Sequence, residues 1–453
     1  MINKLELQGF KSFRQADIRL GPLTVIVGAN ASGKSNLKDA LRFFHGVGLG
    51  YHFSEILGGK TGPSGTREWR GIRGGVGEIA FGDADQFSLS CQVQTPQGSG
   101  TSRSLWYAIT IDLSDLRFGP RVIQESLSSQ GGYLWSSNPE DDRLDQGVTH
   151  QIRIRHRRGG NHRKHGQVSD CTSLMPALAQ IALDAEAPVV SRRASHAMVE
   201  ILRGIRFLDL DPDAMREPAQ LGQTVLGDRG ENLSAVLNAL TADEQLKQAL
   251  LTWVRALTPL DASDFEFETA FSDRIMVYLL EAGGGRISAQ SASDGTLRFL
   301  AVAAALLMPD SGRFFFFDEL DNGIHPTRLH LLLQLAKQTC RQNGVQVVGS
   351  THNPAMLTFL DDEELQDARL MVRNEQTRES EIYKIMDLPD IKRLLARKDL
   401  GRLHASGWLE NAVNLSRPDE ETDNYKCIRS LCQEDVLRLE LRIGAALESG
   451  QCP

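Results

Sequence analysis

The chain has 453 residues, of which 41% are hydrophobic and 24% are charged, as is ordinary for a globular protein of about two or three domains. Its net charge of −8 excludes a surface that is basic all over, but it leaves room for a local basic patch. The longest apolar run, Phe299 to Met308, is too short to cross a bilayer, and MINKLELQGF lacks the layout of a secretion signal. The six cysteines include no CxxC pair. We therefore expect a cytoplasmic protein without a membrane segment, a disulfide framework or a zinc site.

The first motif along the chain is GANASGKS, which starts at Gly28 and matches the P-loop pattern G-x-x-x-x-G-K-[ST]. The β-branched run before it, Thr24 to Val27, predicts a buried strand. The apolar residues after it recur on one face of a helix: Leu37, Ala40, Leu41 and Phe44. Glycines such as Gly33 let the loop wrap around phosphates, whose charge a helix N-terminus favours. In this pattern Lys34 neutralises charge between the β- and γ-phosphates, and Ser35 holds Mg²⁺.

The segment between the P-loop and residue 290 divides into two kinds of structure. A short strand is expected over Glu78 to Phe81, and antiparallel strands are predicted over SLSCQVQT, SLWYAITIDL, RVIQESL and QIRIR. From Ser173 the pattern becomes helical, and a further helix is expected over RGENLSAVLNAL. One predicted helix face contains Met198, Ile201, Leu202 and Ile205. Gly, Ser and Pro interrupt the segment throughout, so a long coiled-coil arm is excluded.

Two basic stretches in this segment allow alternative interpretations. RIRHRRGGNHRKHG, residues 153–166, either contacts nucleic-acid phosphates or is a solvated hairpin loop. The candidate contacts are Arg153, Arg155, Arg157, Arg158, Arg163 and Lys164. WRGIRGG, residues 69–75, is either a second such contact or a glycine-rich loop near the nucleotide.

The stretch SASDGTLRFLAVAAALLM predicts a helix that begins after Ser293, a good N-cap residue. Its apolar face would contain Leu297, Leu300, Ala301 and Ala304. A serine–glycine turn at a helix start is a second anion site. The simplest arrangement that uses two such sites for one nucleotide is a head-to-tail dimer, in which each Ser293 turn covers the nucleotide held by the other subunit's Lys34.

Two further strands complete the predicted site. FFFF, residues 314–317, predicts a buried strand next to the P-loop strand, and it runs directly into Asp318 and Glu319. Asp318 would bind Mg²⁺, and Glu319 would orient or deprotonate the attacking water. A helix with Leu329 on its apolar face follows. The strand Val345 to Val348 leads to His352, which could then reach the γ-phosphate.

These motifs resemble, in kind and in order, those of an ABC-type ATPase head. They are the Walker A motif (GANASGKS), the signature (SASDGT), the Walker B motif (FFFFDE), the D-loop (LDNGIHP) and the switch histidine (STHNP). The details are similar to the RecF/SMC branch and to the related prokaryotic AAA family ATPases, which include the OLD and Septu-type defence ATPases. Unlike the OLD nucleases, this chain shows no acidic strand ends that match a Toprim domain.

The resemblance implies roles for individual residues. Those implied around ATP and Mg²⁺ are Gly28, Asn30, Ser32, Gly33, Lys34, Ser35 and Asn36. Ser293, Asp294 and Gly295 would act across the dimer, and Asp321 would contact the partner. Gln86 is the candidate for the Q-loop residue because it follows the strand expected over Glu78 to Phe81, with a surface glutamine as the alternative.

The expected fold class is α/β, with a P-loop ABC-type ATPase head whose mixed, largely parallel sheet has flanking helices. The head is expected over residues 1–90 and 285–390, inserted antiparallel β and helical lobes over 91–284, and a helical tail over 391–453. The predicted function is an ATPase switch that dimerises around ATP and controls a separate nuclease or effector, with DNA or RNA as a further partner, in antiphage defence. The alternatives are a RecF-like DNA-repair or recombination ATPase that binds DNA itself, and an ATP-gated scaffold or sensor with little turnover.

Overall fold

The computed structural model describes residues 1–391 except for 64, 96–103, 116, 118, 138–149, 158–166, 259–260, 272, 309–312 and 389–390. The predicted C-terminal tail, apart from Ile391, therefore lies outside the described residues. So do three predicted nucleic-acid contacts, Arg158, Arg163 and Lys164.

The described residues contain twenty β-strands and ten α-helices. The strands are β1 Ile2–Phe10, β2 Phe13–Arg19, β3 Leu23–Gly28, β4 Lys60–Thr61, β5 Arg67–Trp69, β6 Gln86–Gln94, β7 Ser104–Asp112, β8 Arg121–Ser129, β9 Gly132–Ser137, β10 Gln151–His156, β11 Val168–Thr172, β12 Ile205–Leu208, β13 Ala219–Gln220, β14 Ala262–Phe271, β15 Arg274–Glu281, β16 Arg286–Ser288, β17 Phe314–Phe317, β18 Gln346–Thr351, β19 Arg369–Arg373 and β20 Ser380–Lys384. The helices are α1 Lys34–Leu49, α2 Phe53–Gly58, α3 Ala177–Leu183, α4 Val189–Arg203, α5 Pro212–Met215, α6 Leu233–Thr241, α7 Glu244–Leu257, α8 Asp294–Leu307, α9 Leu329–Asn343 and α10 Asp362–Asp367. None of the described helices is both long and apolar enough to span a bilayer.

The first sheet has six strands in the order β12-β17-β18-β3-β19-β20, all parallel except β20. Every residue of β3, β17 and β18 is buried, as expected for parallel strands that are covered on both faces. The prediction that FFFF lies next to the P-loop strand is wrong by one position, because β18 pairs with both β17 and β3. The predicted neighbourhood of β17 and the strand before His352 is confirmed.

The second sheet has eight antiparallel strands in the order β11-β10-β9-β8-β7-β6-β1-β2. It contains the strands predicted over SLSCQVQT, SLWYAITIDL, RVIQESL and QIRIR. Because β6 spans residue 90 and pairs with β1, the sheet is continuous across the predicted boundary between head and insert. The strand expected over Glu78 to Phe81 is wrong: a 3₁₀ turn spans Gly75–Glu78, and Ala80 forms a single bridge to Phe10.

The remaining elements lie in a third sheet and in helices. β13, β15 and β14 pair in that order, with β16 on β15, and α6 packs against this sheet through the cluster of Ala219, Ala235 and Ile275. The predicted helix that includes Met198 is α4, but Ile205 is not part of it. Gly204 ends the helix, and Ile205 begins β12, where it pairs with Phe314.

Helix α1 belongs to one hydrophobic cluster with residues of both large sheets. On the antiparallel side, the Phe43 ring meets the Phe87 ring at 5.6 Å between centroids, and Phe44 meets Tyr107 at 6.3 Å. Both pairs have the edge-to-face geometry that aromatic rings prefer. The P-loop helix is therefore anchored in the core of the molecule.

Glu125 is a buried carboxyl inside the antiparallel sheet. It accepts hydrogen bonds from the Tyr107 hydroxyl at 2.9 Å and from the backbone N–H groups of Ala177 and Leu178, each at 2.8 Å. Two of these bonds satisfy amides at the start of α3. Burial raises the pKa of Glu125 to about 7, because the charged form loses its solvation, and the three donors reduce this effect.

This pKa predicts that stability depends on pH. The folded protein retains a proton that the unfolded chain releases above about pH 4.5, so the free energy of unfolding should fall by about 2 to 4 kcal/mol as pH rises to about 7. Urea unfolding of the wild type and Glu125→Gln across this range tests it. Because glutamine does not titrate, the variant should lack this component. Identical slopes in the two proteins would contradict the assignment.

Candidate nucleotide site

Two glycines let the P-loop pass close to neighbouring backbone and side chains. A Cβ on Gly28 would collide with the backbone oxygen of Met371, on the adjacent strand β19. Gly33 has a φ of 112°, which disfavours other residues, and a Cβ there would collide with the Ser380 hydroxyl. The loop therefore needs glycine at both positions that the P-loop pattern requires.

Lys34 is the first residue of α1, and its side chain turns back over the loop. Its Nζ donates to the carbonyl oxygens of Gly28 at 2.5 Å and Ala29 at 2.8 Å. Burial lowers the pKa of Lys34, and the nearby carboxylates of Asp318 and Glu319 oppose that shift. The ammonium group is thus bonded to the P-loop and interacts electrostatically with the two acids at the end of β17.

Asp318 follows β17 directly and is held at both carboxylate oxygens. Oδ1 accepts the Ser350 hydroxyl at 2.7 Å, and Oδ2 accepts Lys38 Nζ at 2.9 Å. Lys38 also lies 3.6 Å from Asp209, at the end of β12. Burial alone would raise the pKa of Asp318, but Lys38 and the Ser350 hydroxyl outweigh it, so the pKa is lowered and the carboxylate is charged at neutral pH.

Glu319 has a left-handed backbone, with a φ of 51°. Its N–H donates to the Ser350 hydroxyl at 3.0 Å, and its Oε2 accepts the Asn322 amide at 3.1 Å. A non-glycine residue in this region costs about 1 kcal/mol or more, so the surrounding contacts must hold it there. Ser350, which is fully buried, therefore positions both acids with one hydroxyl.

A polar network supports the first turn of α1. The Asn36 amide donates to the Ser12 hydroxyl at 2.7 Å, and Ser380 donates to the same oxygen at 2.6 Å. The Arg73 guanidinium donates to Asn36 at 3.3 Å and to Asp39 at 3.0 Å. Of the two interpretations of WRGIRGG, the structure favours the loop near the nucleotide site.

These groups surround a cavity of about 510 Å³. Its lining includes all the predicted nucleotide-binding residues except Gly28, which lies at the end of β3, and also both acids. It further includes Arg73, from the WRGIRGG loop, and four residues that were not predicted: Asp209, Arg298, Asn322 and Arg373. Asp209 and Arg373 lie at carboxyl ends of sheet strands, as Asp318 does. Ligands of parallel sheets bind at the carboxyl ends of the strands, so these two residues could have been predicted had the strand order been known.

The signature residues lie elsewhere. Ser293 caps α8 by accepting the Thr296 N–H at 3.2 Å, which confirms the predicted helix start, but Ser293 and Asp294 are exposed and do not line the cavity. A Cβ on Gly295 would collide with the backbone oxygen of Gly323 in the D-loop. Arg298, one turn into α8, reaches the cavity of its own chain.

Three other predicted residues are not brought to the cavity. His352 is exposed and is not among its lining residues. Asp321 also lies outside the lining, and its Oδ1 is buried without a hydrogen-bond partner. Gln86 is the exposed first residue of β6, so it does not follow a strand as the Q-loop hypothesis assumed.

The cavity fits a nucleoside triphosphate with Mg²⁺. Lys34, Arg73, Arg298 and Arg373 supply positive charge for the phosphates. Ser35 and Asp318 offer oxygen ligands on one side. Among the described residues no three acidic, histidine or cysteine side chains cluster to hold a metal alone, and Mg²⁺ is typically bound by one or two carboxylates with phosphates and water.

Comparisons with known proteins agree with this geometry. The family model described as "AAA domain, putative AbiEii toxin, Type IV TA system" matches residues 23–105 and 194–358, together more than half of the chain. Among curated protein sequences, none matches the chain.

The chain is also similar to solved SMC head structures. An SMC head bound to the C-winged helix domain of ScpA has 15% identity and a TM-score of 0.48, with 84% of this chain and 97% of that one covered. An SMC head from Thermotoga maritima has 14% identity and a TM-score of 0.40, with 85% and 98% covered. One from Pyrococcus furiosus, with an extended coiled coil and bound to the C-terminal domain of ScpA, has 14% identity and a TM-score of 0.46, with 84% and 95% covered.

Two buried serines give a matched test of the acid-positioning role. Ser350→Ala should lower the free energy of unfolding by about 1 to 3 kcal/mol, because it removes the partner of Asp318 and of the Glu319 N–H. Ser32→Ala is the control, since the Ser32 hydroxyl is buried without a hydrogen-bond partner and its loss should cost little. Urea unfolding without nucleotide measures both. Equal losses in the two variants would contradict the role of Ser350.

Proposed function

The chain belongs to the AAA-domain family whose model it matches, and from this premise we propose that it is a Mg²⁺-dependent ATPase that pairs around ATP and controls a nucleic-acid-directed partner. The observation that carries the proposal is the convergence of Lys34 and Ser35 with Asp318 and Glu319 in one cavity. A P-loop lysine and serine that share a cavity with carboxylates from the end of a nearby parallel strand are a recurring arrangement in phosphoryl transfer to water.

The P-loop residues, the arginines and the two acids of the cavity have separate roles in this proposal. The loop amides, Lys34 and the arginines would bind the phosphates, while Ser35 and Asp318 would hold Mg²⁺. When bound, Mg²⁺ supplies charge neutralisation between the β- and γ-phosphates. Glu319 would orient the attacking water and accept its proton, a contribution of typically about two to four powers of ten in rate.

Pairing is supported by the residues that the cavity leaves out. Ser293 stands exposed at the start of α8 and does not line the chain's own P-loop cavity, while its neighbour Asp294 is ion-paired with Arg216 at 2.5 Å. A helix start is a position that suits an anion. The buried Asp321 Oδ1 in the adjacent D-loop lacks a partner, and a second subunit could supply one. His352 would reach the γ-phosphate only after a movement of its loop or on pairing.

The proposed biological role is antiphage defence. The family description includes a toxin of a type IV toxin–antitoxin system, and this supports a place in antiphage defence over a housekeeping role. A separate nuclease or effector would then act on nucleic acid while this chain serves as its ATP-dependent switch, in the cytoplasm.

Substitution of the proposed base should separate ATP binding from hydrolysis. Glu319→Gln is expected to form a stable pair or larger assembly only with ATP and Mg²⁺, while phosphate release falls at least about a hundredfold. Light scattering gives the mass, and phosphate release is recorded alongside. Glu363→Gln, at a side chain that is 82% exposed, is the matched control. If assembly ignores ATP and turnover is unchanged, the protein is a constitutive scaffold.

Mixed subunits test whether the signature acts across the pair. Lys34→Ala and Ser293→Arg should each abolish phosphate release. An equal mixture should recover about a quarter of wild-type activity, since half of the pairs are mixed and each mixed pair has one intact site. An inactive mixture of variants that still pair would show that Ser293 acts only within its own chain.

A further inference from the structure

The antiparallel sheet has one face in the core and one open to solvent. Along β6 and β7 the burial alternates strictly: Leu89, Val93 and Tyr107 point inward, while the residues between them remain partly exposed. A shallow depression of about 750 Å³ lies on the open face. We refer to this surface, formed by outward residues of β1, β2 and β6 to β10, as the outer sheet face.

The outer sheet face is composed mainly of hydroxyl and amide side chains. Across β6, β7 and β8 its outward residues are Ser88, Ser90, Gln92, Ser104, Ala108, Thr110, Gln124, Ser126 and Ser128. Neighbours bond to one another, as Ser88 does to Thr110 and Gln92 to Ser104, each at 2.8 Å. Such a polar surface lacks the contiguous apolar core of a stable protein–protein interface.

Two aromatic side chains project from the outer sheet face. Trp106 is 37% exposed and Tyr133 is 61% exposed. Trp106 pairs with Ser128, which in turn pairs with Tyr133, so the two rings stand in one row across the sheet. They are separated by one intervening strand, or about 10 Å. The same row continues through Gln92 to Lys4 on β1, whose ammonium is ion-paired with Glu6 and Asp17 on the same face.

Arginines line the margin of the face beyond Tyr133. Arg153 and Arg155 on β10, and Arg157 directly after it, alternate with buried residues and are exposed. Arg153 is ion-paired with Asp170 at 3.1 Å. Arg155 lies opposite Ser136, and Arg157 donates to the carbonyl of Gly131, beside Tyr133. The predicted basic contacts that the structure describes therefore lie beyond Tyr133, on the side away from Trp106.

We infer that the outer sheet face binds single-stranded nucleic acid, with bases stacked on Trp106 and Tyr133 and phosphates against Arg153, Arg155 and Arg157. Stacking of unpaired bases on sheet aromatics, with charge along the backbone track, is the physical basis of sequence-tolerant single-strand binding. Hydroxyl and amide groups between the rings can pair with base edges. The inference rests on the proposed function, since it gives the ATPase that controls a nucleic-acid-directed partner a nucleic-acid ligand of its own.

Duplex DNA does not suit this surface. Its bases are stacked within the helix, so neither ring can reach a base plane, and only the arginines could make contacts. The inference therefore commits to an unpaired strand and predicts weaker binding of the same sequence as a duplex.

The test is fluorescence anisotropy with end-labelled 20-nucleotide single strands of DNA and RNA, and with the matching DNA duplex, titrated with the full chain. Trp106→Ala and Tyr133→Ala should each weaken single-strand binding about tenfold. Trp106→Phe and Tyr133→Phe, which keep a ring, should bind nearly as the wild type does. Arg155→Ala should reduce the slope of log affinity against log salt by about 0.7.

Controls separate a lost contact from a lost fold. Leu183→Ala, at a side chain that is 85% exposed and outside the outer sheet face, should leave binding unchanged, and thermal unfolding of every variant should match the wild type. If alanine at both aromatic positions leaves single-strand binding intact, or if the duplex binds as tightly as the single strand, the inference is overturned.

The two proposals can fail separately. Single-strand binding that depends on Trp106 and Tyr133, in a wild type that neither pairs with ATP nor releases phosphate, would overturn only the proposed function. If the wild type pairs with ATP and turns it over but binds neither single strand, only the inference about the outer sheet face would be overturned.

Discussion

The burial of α1 between two sheets is the constraint on which the site depends. Its apolar side chains, including Phe43 and Phe44, are fully buried, and each contributes about 1.5 to 3 kcal/mol through removal from water. A helix fixed over its whole length presents its N-terminal amides in one orientation. Lys34, Ser35 and Asn36 are therefore held rigidly at the start of the helix, where an anion is favoured.

The opposite side of the cavity depends on polar contacts rather than on packing. β17 delivers Asp318 and Glu319, but the Ser350 hydroxyl from the next strand sets the direction of both. Lys38 adds a positive charge against Asp318 within the same cluster. A carboxylate that is charged, partly buried and fully bonded loses little freedom when it takes a new ligand, and such preorganisation is what a catalytic site needs.

The surfaces of the molecule fall into two chemically distinct regions. Near the cavity, the start of α8 packs so closely against the D-loop that glycine is needed at position 295, which links the exposed Ser293 turn to the segment after Glu319. Across the antiparallel sheet, the inner face contributes to the core around α1 while the outer face is polar with two exposed rings. One sheet thus anchors the P-loop helix and presents a separate surface to solvent.

The local chemistry of the site could be predicted from the amino-acid sequence. The P-loop, the signature turn, the acidic turn after FFFF and the cap at Ser293 depend on residues within a few positions of one another, so they could be read directly. Tertiary structure alone decided which strand ends meet. The insertion of β18 between β17 and β3, the contact of Ser350 with both acids, and the convergence of Arg73, Arg298 and Arg373 join residues far apart in the chain. Sequence spacing has no information on such pairings, because strand order in a sheet is set by packing of the whole core.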